Sequence, residues 1–249
     1  MSDQDSTSLG KRFREFYLPR RQSALLVACV AFLAVRPVIG EGRAERYVFA
    51  VAVVVLLIVA LYTIQVEELA GEHLTLLAER RRRNLIGWSL AGAALVMRTA
   101  TIVWPTHVLY VIGSLSYLLF FGFVAWQELR AVLRQQTITT ETISMSVSIY
   151  LLLGITWGLL YLVIYERHPL AFNFPGSNGA PTEEDAIPTL IYFSLTTLST
   201  IGFGDIVPML MQARYAAVAE GITGQFYMVV LVARLVGMYM IQKSASEEQ

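Results

Sequence analysis

Six long apolar runs constrain this chain more than any other feature of its sequence. They are Ser23 to Ile39, Tyr47 to Val66, Leu85 to Trp104, Val108 to Leu129, Ile143 to Tyr165 and Ala213 to Ile241. Crossing a bilayer core of about 30 Å takes about 20 apolar residues as helix. Without water there, each backbone N–H and C=O must be paired inside its own segment, which leaves helices or a closed barrel. Runs of this length select helices. Across 249 residues, 55% are hydrophobic and 15% charged, which is too apolar for an ordinary soluble domain. The expected fold is an all-α membrane protein with six transmembrane helices. A seventh apolar piece, Ile187 to Leu198, is too short to span. It fits a re-entrant segment, which is tolerated where protein or a water cavity surrounds it. The first run could be read as a signal peptide. Its basic lead is long and its apolar stretch exceeds the usual hydrophobic region of such peptides, so a retained helix is expected.

Formal net charge is zero, and the placement of Lys and Arg carries the information. With the amino terminus inside, twelve lie on inner flanks: Lys11, Arg12, Arg14, Arg20, Arg21, Arg80, Arg81, Arg82, Arg83, Arg130, Arg134 and Lys243. Four lie on outer flanks: Arg43, Arg46, Arg167 and Arg214. That asymmetry places both termini in the cytoplasm. It also puts residues 166–212 outside. Arg80–Arg83 reads as a topology anchor, with anionic lipid headgroups as a possible partner. Leu69, Leu76 and Leu77 are spaced to carry the second helix into the cytoplasm. The lone Cys29 is expected in the core. His73, His107 and His168 lack metal-ligand spacing. Neither a cofactor nor a nucleic-acid partner is expected.

Between the last two long runs stands Thr200-Ile201-Gly202-Phe203-Gly204-Asp205. Two glycines separated by one aromatic residue let the backbone alternate its hand, because glycine reaches positive φ without steric cost. Alternation turns successive carbonyls the same way, and such a column can replace the water around a bare cation. Ile201 and Phe203 would then point away from the axis and pack behind it. The Thr200 hydroxyl would complete the innermost site, and Asp205 would concentrate cations at the outer mouth. A helix before the motif is announced by Glu183, Glu184 and Asp185, with Pro188 expected in its first turn. Its negative carboxyl end would face mid-membrane. The loop from Glu166 to Ile187 is rich in Gly, Pro and acid and is expected to be a solvated turret.

From Ser144 to Lys243 the chain resembles the two-helix pore of the potassium channel family, of the bacterial ion-channel-2 type. The likeness is carried by Tyr192-Phe193-Ser194, Thr197 to Asp205, Pro208, Arg214 and Gly221-Ile-Thr-Gly224. The resemblance implies a homotetrameric pore in a lipid bilayer, with one pore unit per chain. It implies a selectivity filter of Thr200, Ile201, Gly202, Phe203 and Gly204, with K+ held at Thr200, Ile201, Gly202 and Phe203. Many members have Tyr at the position of Phe203, whose hydroxyl can tether the filter. Some keep a carboxyl at the position of Thr196. Both tethers are absent here.

The expected organisation is a cytoplasmic segment 1–22, a four-helix membrane domain 23–136 and a pore domain 137–249. No Lys or Arg lies between Val108 and Glu128, so the fourth helix lacks the charges of a voltage sensor. The expected activity is passive, potassium-selective conduction in the cell membrane with little voltage dependence. A poorly selective monovalent cation channel is the alternative. Gly221 and Gly224 are candidates for a gating hinge or for close helix packing. Glu220, inside the last helix, should face a partner, water or the pore. Arg98, inside the third, has no assigned role.

Overall fold

The computed structural model describes residues 21–39, 43–69, 77–104, 106–135, 138–175, 181 and 183–247. The chain is helical at each expected run: α1 (Arg21–Ile39), α2 (Arg43–Leu69), α3 (Leu77–Val103), α4 (His107–Arg134), α5 (Thr140–Arg167) and α7 (Met211–Glu247). The short α6 (Glu183–Leu198) lies between α5 and α7. Three stretches among the described residues are both long and apolar enough to cross a membrane: His107–Arg134, Thr140–Arg167 and Met211–Met240. Gln22–Val35 and Val51–Thr63 are shorter apolar helices.

Most helices outrun their apolar cores by several residues, since polar flanks continue the helix into the interface. α2 reaches Leu69, and the rest of its expected cytoplasmic extension, residues 70–76, lies outside the described residues. Arg80–Arg83 falls within the first two turns of α3. Arg81 and Arg82 are exposed there. The side chains of Arg80 and Arg98 lie outside the description, as does nearly all of segment 1–22.

α5 is the structural axis. It starts from Thr139, whose hydroxyl accepts from Thr142 N at 3.2 Å while Thr139 N donates to Thr142 Oγ1, a reciprocal cap. α4, α6 and α1 all pack against it, with α2 against α1 and α3 against α4. Leu25 and Cys29 of α1, Leu56 and Ala60 of α2, Phe120 and Val124 of α4, Leu152 and Ile155 of α5, and Leu190 of α6 belong to one buried cluster. Cys29 is thus the core residue expected of it. That cluster joins α1, α2 and α4 to α5 and α6 within the same chain.

Glu141, in the first turn of α5, reaches across to the start of α1. Its carboxylate accepts from Gln22 N at 2.9 Å and Ser23 Oγ at 2.7 Å. It thereby satisfies amide donors that the first turn of a helix leaves open, and its charge suits the positive end of the dipole.

Two expectations about the outer connection change. Glu183, Glu184 and Asp185 form the first turn of α6 and do not precede it, so Pro188 sits a turn deeper. Carboxylates favour that first turn for the same dipole reason that marked them as start signals. Part of the loop after α5, residues 171–174, is also less solvated than a turret. Residues Pro169–Ala171 form a 3-10 turn, and Phe172–Asn173 (β1) pairs antiparallel with Val207–Pro208 (β2). Ala171, Phe172 and Phe174 are buried. Phe172 meets Tyr161 and Phe193 edge to face at 5.7 and 5.5 Å between centroids. Aromatic surface inside a Gly/Pro-rich loop thus draws Phe172 and Phe174 into the core.

Replacing Glu141 with Ala should destabilise the folded protein by about 1 kcal/mol, the scale of a lost helix cap. A lower thermal midpoint of the purified protein would register it.

Candidate functional site

α6 ends where the glycine motif begins, and the end of the helix shapes the motif. Thr196 O accepts from both Ile201 N, at 2.8 Å, and Gly202 N, at 3.1 Å. Thr200 N donates to Thr197 O at 3.0 Å. The chain therefore leaves the helix by folding back over its last carbonyls before running straight.

Backbone hand then alternates residue by residue. Thr200, Gly202 and Gly204 have φ of 61°, 55° and 78°, while Ile201 and Phe203 do not enter the positive range. The two glycines behave as their chemistry predicts. Thr200 was not foreseen there. A β-branched residue in the left-handed region is a true outlier, costing about 1–2 kcal/mol. The surrounding hydrogen bonds hold it, and such strain concentrates at functional positions. Alternation of this kind is what lets a backbone turn successive carbonyls to a common side.

The side chains of the motif are covered only in part by their own chain. Ile201 is 57% exposed and Phe203 67% exposed. Phe203 stacks on Tyr192 of α6, 6.4 Å between centroids and 7° between planes. The Tyr192 hydroxyl donates to Asp205 Oδ2 at 2.8 Å. A tether from helix to motif therefore exists, with its hydroxyl on Tyr192 and not at position 203. Beyond Asp205 the strand is anchored by the β1–β2 pairing and by Met209 N donating to Ala171 O at 2.8 Å.

Glu220 of α7 is buried directly behind α6. The Tyr161 hydroxyl of α5 donates to its Oε2 at 2.6 Å. Ser194 Oγ of α6 contacts its Oε1 and also lies 2.6 Å from Gly154 O of α5. Glu220 thus faces partners, as an acid in a membrane helix should. Arg214 does not pair with it. Arg214 Nε donates to Pro208 O at 3.1 Å, bracing the strand after the motif. Sequence reasoning named Glu220 without finding its partners, because contacts between residues 26 and 59 positions apart leave no local pattern.

The two hinge candidates separate. A Cβ on Gly224 would run into Leu198 O and the Leu198 side chain, at the junction of helix and motif. Gly224 is therefore a close-packing glycine. A Cβ on Gly221 would meet nothing within 4 Å of its own chain. Further along α7, the Tyr227 hydroxyl donates to Ser146 O at 2.6 Å. Arg234 Nη2 donates to Gln135 O at 2.7 Å, at the residue that caps the end of α4. No sequence signal pointed to that last contact.

A short helix aimed at a strand of alternating hand, clasped between two long helices, defines an ion-channel pore unit. Residues 149–240 match the family described as Ion channel. Potassium channel protein kcv of Paramecium bursaria Chlorella virus 1 is 33% identical over 72 residues, which are 29% of this chain and 77% of that protein. The chain belongs to the potassium channel pore family. It is accordingly a membrane protein of ion transport and a channel, not an enzyme. No solved structure matches it.

Gly224→Ala should lose the native fit between α7 and the end of α6 and lower the thermal midpoint. Gly221→Ala should leave the fold of the single chain intact, gaining about 1 kcal/mol of helix propensity. Parallel melting curves of the two purified variants test the contrast.

Proposed function

We propose that this protein conducts potassium passively and selectively as a homotetramer with six membrane spans per subunit. The observation that carries the reading is the alternation of backbone hand from Thr200 to Gly204. It suits a column of carbonyls that substitutes for an ion's hydration shell, with K+ at Thr200, Ile201, Gly202 and Phe203. Asp205 stands at the outer mouth, held by Tyr192. The carboxyl end of α6 directs its partial negative charge towards the cavity below the filter.

A single chain cannot enclose an ion with one strand. The exposed Ile201 and Phe203 and the uncovered apolar surface of α7, including Val218, Ile222, Phe226 and Val229, suit burial against further copies about a closed axis. Four copies follow from the family's pore architecture. Gly221, open within its own chain, is the hinge candidate on this reading. The Lys and Arg asymmetry supports a cell-membrane protein with both termini in the cytoplasm. It also sets Arg80, Arg81, Arg82 and Arg83 where acidic headgroups of the inner leaflet are within reach. An α4 without Lys or Arg from Val108 to Glu128 offers little for the membrane field to act on, since one charge crossing it yields about 2.3 kcal/mol per 100 mV.

Liposomes carrying the protein and a potassium gradient should show flux of potassium and exclude sodium. Equal passage of both ions would favour the poorly selective channel. Gly202→Ala, which places a Cβ at φ 55° at a cost of about 1–2 kcal/mol, should abolish selective flux. Unaltered selective flux through that variant would refute the assigned ion path.

A further inference from the structure

We infer that Glu220 is a neutral carboxylic acid, and that its proton completes a hydrogen-bonded chain positioning α6 and hence the filter. The number of protons available decides the assignment. Gly154 O, Ser194 Oγ and Glu220 Oε1 lie in sequence, each neighbouring pair within hydrogen-bonding distance. A carbonyl brings no proton and a serine hydroxyl brings one. If Ser194 donates to Gly154 O, the contact between Ser194 Oγ and Oε1 requires a second proton. The carboxyl is the group that can hold it. Oε2 meanwhile accepts from Tyr161. A neutral acid fits this arrangement atom for atom: one oxygen donates, the other accepts, and each proton is used once.

A carboxylate fits less well. It would leave two acceptors competing for one serine proton. Glu220 is 0% exposed, and among the described residues the groups that act on it are Ser194 and Tyr161, with no Lys or Arg. The nearest candidates by sequence are committed to carbonyls, Arg214 to Pro208 and Arg234 to Gln135. Burying a lone charge against neutral donors costs several kcal/mol, and a group so placed takes up a proton instead. The other titratable groups that interact with it are the phenols of Tyr161 and Tyr150, both on α5.

The chain ties three helices together: α5 through Gly154 and Tyr161, α6 through Ser194, and α7 through Glu220. Ser194 stands two residues before Thr196, whose carbonyl holds the amides of Ile201 and Gly202. Glu220 is therefore a positioning residue for the filter and touches no ion. This role rests on reading Thr200 to Gly204 as the filter, while the placement of the proton does not.

The test compares the full-length protein with Glu220→Gln and Glu220→Ala in lipid bilayers. In infrared spectra the wild type should show the carbonyl stretch of a protonated carboxyl group that is missing from Glu220→Gln. That readout needs no conduction, so its failure and the failure of the channel reading are distinguishable. Glu220→Gln offers a donor and an acceptor in nearly the same shape and should keep the wild-type preference for potassium. Glu220→Ala, which removes the links to Ser194 and Tyr161, should lose part of that preference. A carboxylate band lost in Glu220→Gln would overturn the assignment. So would a Glu220→Gln protein that fails to fold or behaves like Glu220→Ala.

Discussion

The carbonyl of Thr196 accepts two amide protons, from Ile201 and Gly202, and the geometry of the whole motif starts from that bifurcated contact. A helix end normally leaves its last carbonyls unsatisfied. Here one of them becomes the anchor for the strand that follows. The same fold-back forces Thr200 into the left-handed region, where an L-residue with a branched Cβ is disfavoured. Strain at Thr200 and permissive glycine at 202 and 204 thus have one origin and one result, a strand whose hand changes at every residue.

Everything behind the strand keeps α6 in place. Gly158 of α5 lets the backbone of Ile191 approach to where a Cβ would lie 2.7 Å from its Cα. Gly224 of α7 does the same for Leu198 on the opposite side. Between these close approaches sit Phe193, Tyr161 and Phe172, packed edge to face. Rigid aromatic packing serves well here, since such pairs add geometric preference to burial.

The helices were legible because their length and apolarity mark them, three of them long and apolar enough among the described residues to cross a membrane, and the glycine motif because Gly202 and Gly204 have few other uses at that spacing. The Cys29 environment followed from its apolar surroundings. What escaped the sequence depends on long-range contacts. Thr200 looks like a strand residue, and only the bonds from Thr196 and Thr197 explain its φ. The role of Tyr192 was hidden because its partner Asp205 lies 13 positions away with no periodic pattern. The burial of Phe172 and Phe174 in the outer loop was missed because the loop's Gly and Pro content spoke for solvent. Gly221 and Gly224 read alike in the sequence and differ only in what stands opposite them.

The hydrogen bond from Arg234 to Gln135 O spans 99 positions and joins the far end of α7 to the cap of α4. A guanidinium at a helix carboxyl end is also drawn to the partial negative charge there. Mechanically, this makes α4 a lever with its load at the exit of α7. Tilting α4 must either rupture that bond or pull on α7 through Arg234, so a push on one helix of the bundle is felt by another.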